Sequence, residues 1–284
     1  VEQAPVRAAA ELDRWTEILE PGDRLLGRRA LDPDRDIVAT AGRIRMRIPA
    51  DVTEAALTTI PARFHGGAND SLLAALALAL AHWRRRRGQA DGSELIALEG
   101  HGREEAAVPG ADLTSTVGWF TSRFPVRLEL HGVDVEDALT GGPSAGLAIK
   151  QIKEQLRAAP DHGIGYGMIR YLDPAGRDEL GDRPEPQISL NYLGRMGTGE
   201  HTGPWMPARD FDALVGTGHP WMALPAVIDI NAIAEPGSAG VELDVGWEYA
   251  ALVLDRVDVE EDWHQPTARH SLQRVLQVTG RLEP

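Results

Sequence analysis

From Arg43 to Ile48 the chain alternates without a break: Arg43, Arg45 and Arg47 on one parity, Ile44, Met46 and Ile48 on the other. A period of two predicts a strand with one wet face and one buried face. The stretch SLLAALALALAHW after Asn69-Asp70 is apolar nearly all round, which predicts a buried helix. Leu95 to Leu98 reads as a short apolar strand, and 123–130 as another, with Phe124, Val126, Leu128 and Leu130 on one face. Further strands are predicted over 187–193, 224–234 and 241–249. An amphipathic helix is predicted over 8–20, ended by Pro21-Gly22. Asp51 or Thr53 caps a helix to about Arg63. A long helix is predicted over 134–158, and a last one over 258–280, kinked or begun near Pro266. Residues 160–186, broken by glycines and prolines, read as loop, and 201–220 as an ordered loop excursion. Strands interleaved with helices predict an α/β chain, a layered α+β sandwich. There is no internal repeat and no low-complexity tract.

Composition narrows the chemistry. The chain has 284 residues, no cysteine and a formal net charge of −14. Disulfides, thiolate metal sites and a cysteine nucleophile are excluded, and the cysteine-free composition suits a cytoplasmic location. The charge argues against nucleic acid as the main partner, because phosphate binding needs a basic face. The one basic run, Arg84-Arg85-Arg86-Arg87, follows the apolar helix and complements its C-terminal dipole; a docking patch for an acidic partner is the other reading. No apolar run is long enough for a membrane span. The N-terminus lacks a signal-peptide pattern and an initiator Met, so the chain is expected to be a piece of something larger. No histidine pair has a metal-ligand spacing, and no metal is expected.

The stretch LEGHGREE, 98–105, places Glu99 at the end of the short apolar strand. A carboxylate held at the rim of a sheet has its pKa raised by partial burial, as a general base requires. Gly100 and Gly102 let backbone pass close to a ligand. His101 is a proton carrier or an orienting donor. Arg103 can pair with Glu99 or Glu104, or hold an anion. The plainer reading is a strand-ending carboxylate in a solvated turn.

Four more stretches bear on that choice: NDSLLA at 69–74, TVGWFTSRFP at 116–125, PDHGIGYG at 160–167 and SLNYLG at 189–194. Together with EGHGRE, and in this order, they resemble the signature motifs of epimerization domains of nonribosomal peptide synthetases. These domains belong to the condensation-domain superfamily. The resemblance implies a chloramphenicol acetyltransferase-like lobe, with a mixed sheet flanked by helices. It also implies inversion, L to D, of the α-carbon of an aminoacyl or peptidyl thioester by proton abstraction and return. The substrate would ride on the phosphopantetheine arm of a peptidyl carrier domain, with no cofactor bound by the chain itself. It implies catalytic roles for Glu99, Asn191 and Tyr192, the last two hydrogen-bonding the thioester oxygen. His101 and Arg103 would support Glu99, and Gly118, Trp119, Gly165 and Tyr166 would lie along the substrate channel. Trp119 and Phe120 have a plain apolar reading as core or tunnel wall.

One family element is missing. The nine histidines include no adjacent pair, so the His-His-x-x-x-Asp-Gly motif is absent. The chain therefore reads as a C-terminal lobe over 42–284, preceded by a connector with a short helix over 1–41. The N-terminal lobe would be a further partner, and the chain alone is expected to be inactive. Two alternatives share the fold: a condensation-type acyltransferase lobe forming peptide bonds, and a non-catalytic scaffold that docks carrier domains.

Overall fold

In the computed structural model, which describes residues 4–89, 93–107, 110–195 and 218–254, the alternating stretch forms strand β1, Ala41–Ile48. Ile44, Met46 and Ile48 are buried there, and Arg43, Arg45 and Arg47 face water. The other strands are β2 (Glu94–Gly100), β3 (Ser122–Leu128), β4 (Ile188–Arg195), β5 (Ile228–Gly237) and β6 (Gly240–Ala250). They form one six-stranded sheet in the order β1-β6-β5-β4-β2-β3. The pairs β2/β4 and β4/β5 are parallel and the remaining pairs antiparallel. The fold is thus α/β with a mixed sheet flanked by helices, as the alternation of elements predicts.

The register sorts the side chains by face. One row runs Ile44, Trp247, Ile230, Leu190, Leu98, Phe124 across all six strands, and every member is buried. The adjacent row, Arg43, Glu248, Asp229, Ser189, Ala97, Pro125, points the other way, because successive residues of a strand alternate in direction. The sheet therefore has one apolar face and one largely polar face.

Helix α4, Ala68–Arg86, lies on the apolar face. Residues 71–80 are all buried in it, as the unbroken apolar run requires. A void of about 30 Å³ separates Leu72 and Leu76 from Leu190, Ile230 and Trp247. The helix opens one residue before Asn69; Asp70 Oδ2 accepts a 2.6 Å hydrogen bond from Gly67 N. Helix α1, Ala4–Leu19, contributes Ala8, Trp15, Ile18 and Leu19 to the same core. Its Trp15 is fully buried, edge-on to Phe124 at 6.4 Å and against Tyr166 at 5.1 Å.

Three predictions about helices change. Residues 50–64 form α2 (Ala50–Glu54), a π turn (Ala55–Thr59) and α3 (Ile60–Phe64) instead of one regular helix. Neither Asp51 nor Thr53 caps it: Pro49 is the N-cap, and the Thr53 hydroxyl donates to Ile48 O. The single helix expected over 134–158 is two, α5 (Val135–Thr140) and α6 (Pro143–Arg157), because Gly141 turns left-handed at φ 90° and Pro143 starts the second. The expected loop at 160–186 contains α7 (Ile164–Leu172) and α8 (Pro174–Leu180). Pro174 starts α8 at a position where its missing N–H costs nothing, and the Asp173 carboxylate caps it by accepting from Gly176 N at 2.8 Å. The helix predicted over 258–280 lies outside the described residues, as does 201–217 of the predicted loop excursion. No described helix is long and apolar enough to cross a membrane.

Candidate active site

Glu99 is the next-to-last residue of β2. It faces Arg123 in register and points to the polar side of the sheet, two positions beyond Ala97. It is part-buried, and burial pushes its carboxyl above the ordinary glutamate value. The charge of Asp229 pushes the same way, and Arg123 opposes both. Arg123 is only partly available, since it pairs with Glu185 Oε2 at 3.1 Å and donates to Pro225 O.

Asn191 of β4 lies on the same face, with Asn231 of β5 beside it in register. Strand register therefore brings Glu99 and Asn191 to one face of the sheet. Tyr192 is placed differently. It pairs with Ala232, which is 2 % exposed in the core, so its ring leaves on the helix-covered side. Burial raises its phenol pKa and Arg195 opposes that rise. Asn191 and Tyr192 are neighbours in sequence, and strand alternation sends them to opposite faces.

After Gly100 the chain turns through Gly102 at φ 66°, where a Cβ would collide with the Phe120 carbonyl oxygen. Only glycine fits this approach of 102 to 120. Arg103 does not hold Glu99. Its guanidinium donates to Leu113 O at 2.6 Å and Thr116 O at 2.9 Å, and lies 4.4 Å over the Phe120 ring. It closes the loop that follows Glu99 and leaves the carboxylate alone. His101 is exposed; its Nδ1 accepts from Arg103 N at 3.0 Å, and Nε2 lies 3.5 Å from Glu104.

The channel residues also divide. Gly118 and Trp119 lie in that loop, and Trp119 is 92 % exposed, so it is neither core nor a closed wall. Tyr166 is 3 % exposed and packs on Trp15 in the helical layer. Its oxygen accepts from Arg170 Nη1 at 2.8 Å, and burial holds its phenol at about 12. A Cβ at Gly165 would run into the Glu11 carboxylate, so this glycine serves helix packing. Neither Gly165 nor Tyr166 stands beside Glu99 as a free group.

A cavity of about 430 Å³ opens at the end of β2. Glu99, His101, Glu104, His65, Asn69 and Asp70 are among its lining, together with Leu98 and Phe124 of the helix-covered face. The Asn69 carbonyl oxygen there is buried without a hydrogen-bond partner. Among the described residues no group of three or more His, Asp or Glu could hold a metal ion.

Sequence reasoning passed over four residues of the polar face: Arg123, Ser189, Asp229 and Asn231. The signal was present in VIDINAI, where Asp229 and Asn231 alternate with Ile228, Ile230 and Ala232. Two polar residues of one parity mark the second face of a strand read only for its apolar one.

The condensation-domain family pattern matches residues 7–209. The chain belongs to the condensation-domain family. It is 42 % identical over 164 residues to one of the linear gramicidin synthase chains of Brevibacillus parabrevis, covering 57 % of this chain and 3 % of that one. It is 37 % identical over 240 residues to chondramide synthase cmdD of Chondromyces crocatus, covering 84 % and 6 %. Among solved structures it resembles the epimerization domain from the third module of tyrocidine synthetase B, with a TM-score of 0.74 and 25 % identity, over 99 % of this chain and 59 % of that one. The X-domain from teicoplanin biosynthesis shares the fold at a TM-score of 0.60 and 19 % identity, over 95 % and 54 %. The chain thus spans a few per cent of the synthetases it matches and about three fifths of the epimerization-domain chain.

Proposed function

We propose that this condensation-type chain is the Glu99-bearing part of an epimerization domain, which inverts the α-carbon of an aminoacyl or peptidyl thioester held on a carrier's phosphopantetheine arm. The observation that carries this reading is the placement of Glu99: a part-buried carboxyl with a raised pKa, at a strand end, beside a cavity and on one face with Asn191. The likeness to the tyrocidine epimerization domain supports it.

A thioester acidifies its α-hydrogen. The Glu99 carboxylate takes that proton, and the electron pair of the C–H bond passes into the C–C–O system as an enolate. The Asn191 amide donates to the oxygen as charge grows there. A proton delivered from the opposite side of the planar carbon completes inversion. That donor belongs to an N-terminal half carrying the family's paired histidines. The raised pKa matches Glu99 to a carbon acid better than an ordinary carboxylate would be matched.

The test is a carrier loaded with an L-aminoacyl thioester, presented to the complete domain and analysed by chiral chromatography. The D form appears with the native domain, and Glu99→Gln slows its appearance by about 10²–10⁴-fold, the usual worth of one general base. A rate indifferent to Glu99 sinks the proposal. An amide product formed with a second loaded carrier would instead mark the condensation-type activity, and carrier binding without either product the scaffold.

A further inference from the structure

We propose that His162 contacts the substrate in the cavity beside Glu99, as an acceptor for the nitrogen on the substrate's α-carbon, and that Arg7 is its positioning residue. This deepens the epimerization reading and rests on that cavity being where the acyl group lies.

The stretch PDHGIGYG brings neither Gly165 nor Tyr166 to the cavity, but its first half reaches it. Asp161 (φ 41°), His162 (φ 52°) and Gly163 (φ 81°) are three successive left-handed residues. Only the glycine takes that conformation freely, so the turn needs outside contacts to hold it. The residues on either side of His162 supply them. The Asp161 carboxylate accepts from Arg7 Nη1 at 2.8 Å. Gly163 sits so close to the Phe124 ring that a Cβ would collide with it. Phe124 pairs in register with Leu98, the residue before Glu99. His162 is thereby presented to the same cavity as Glu99, and Phe124 lines it too.

Arg7 is itself held in place, and its side chain is only 11 % exposed. Nη1 also donates to Glu11 Oε1 at 2.8 Å, and Nη2 to Ala107 O at 3.2 Å. The other Glu11 oxygen accepts from Trp15 Nε1 at 3.0 Å. One guanidinium thus ties α1 to the turn that carries His162 and to the segment that follows His101 and Glu104.

His65 repeats the arrangement across the cavity lining. It has φ 52°, it lines the cavity, and Arg157 Nη2 donates to its carbonyl oxygen at 2.7 Å. Among the described residues, every non-glycine with positive φ belongs to one of these two arginine-tied turns. Strained residues over-determined by their surroundings gather at functional sites. Neither imidazole has a hydrogen-bond or ion-pair partner among the described residues. His162 is the one whose turn packs against the ring beside Glu99, which makes it the group to meet the acyl chain next to the reacting carbon. The lining also holds three carboxylates, Glu99, Glu104 and Asp70, against one guanidinium, Arg157, which pairs with Glu154 at 3.3 Å. That balance favours an amine over an anion. An imidazole nitrogen accepts the N–H bond such an amine offers.

The experiment compares two carriers binding to the complete domain. One bears L-alanine on its phosphopantetheine arm, joined by an amide in place of the thioester; the other bears a propionyl group joined in the same way. The amide activates the α-hydrogen too little for turnover, so binding alone is read, and the two acyl groups differ by the α-nitrogen. We expect the native domain to prefer the alanyl carrier. His162→Gly, which suits the left-handed backbone, should cut that preference by about three- to tenfold, the effect of one hydrogen bond, and leave the propionyl carrier's affinity as it was. Arg7→Met should give the same loss, and the two changes together no more than either alone, because Arg7 acts through His162. Should Arg7→Met not fold, Asp161→Asn removes the same ion pair with a side chain that tolerates the turn. A preference that survives His162→Gly overturns the proposal, as does an equal weakening of both carriers, which a merely structural role would give. A preference left intact by Arg7→Met or by Asp161→Asn overturns the role of Arg7. No proton moves in this assay, so its failure leaves the Glu99 reading standing, and a chiral assay indifferent to Glu99 leaves this binding result standing.

Discussion

On the proposed function Glu99 concentrates the chemistry in one side chain, and its environment makes two consequences separable. The first is catalytic and is read by the chiral assay. The second is thermodynamic. A carboxyl whose pKa is higher folded than unfolded binds more protons in the folded state at intermediate pH. Stability is therefore fully present below the unfolded value, about 4.3 for a glutamate, and declines as pH rises through the raised folded value. Glu99→Gln removes that decline. We expect its melting temperature to exceed the native chain's at pH 7 and to converge with it near pH 4, as read by calorimetry across pH. A variant less stable than the native chain at pH 7 would mean that Glu99 makes a favourable contact in its charged form. At this scale the site was half legible. Glu99 and Asn191 stand out in the sequence because motif spacing and strand parity agree. Motif membership ignores parity, which sends Tyr192 to the other face of the sheet, and it does not show that the Tyr166 phenol is buried and satisfied by Arg170.

At the scale of elements, the loop after β2 is the clearest departure from expectation. Arg103 was expected to brace Glu99, and it braces the loop by two carbonyls and a ring. Arg103→Ala should then loosen the loop and leave the carboxylate nearly untouched. Hydrogen bonds from a charged donor contribute about 1.5–3 kcal/mol each, so amide exchange around 113–116 should quicken by at least tenfold. The NMR midpoint of Glu99 should stay within about 0.2 pH unit of the native one, because no ion pair with it is lost. A large shift at Glu99 would restore the direct role. Helices α7 and α8 make the complementary point. Gly165, Gly167, Pro174 and Gly176 look like breakers in sequence. In the fold Pro174 begins a helix, and Gly165 and Gly176 are where other groups come close: the Glu11 carboxylate at Gly165, the Ile169 carbonyl at Gly176. Gly165→Ala should cost about 1–3 kcal/mol by overpacking, read as a lower denaturation midpoint. The six strands were legible because each keeps either an alternating pattern, as in β1, or a short apolar run, as in β2; helix breaks set by tertiary contact leave no such trace.

At the scale of the whole molecule, the sheet is anchored at the end of β2 opposite the site. Arg84, in the last turn of α4, donates to Glu94 Oε1 at 2.6 Å and Oε2 at 3.0 Å, a buried two-pronged pair. The same guanidinium reaches Arg24 O and Leu25 O, in the segment that crosses the strand starts. Leu95 N, one residue on, donates to Asp23 in that segment. Helix layer, sheet and crossing segment thus meet at the first residues of β2, and Glu99 stands near the other end of that strand. The basic run after the apolar helix is accordingly not one patch: its first arginine is structural. Removing one member of a buried pair leaves an uncompensated charge, whereas removing both leaves ordinary apolar packing. We therefore expect Arg84→Met to cost about 3–5 kcal/mol in urea unfolding. Arg84→Met combined with Glu94→Met should recover most of that loss. If the double variant is as unstable as the single one, the anchor is the bonding of Arg84 to the crossing segment rather than the ion pair. The position of β2, and of Glu99 with it, would then be fixed by residues 23–25 instead of by α4.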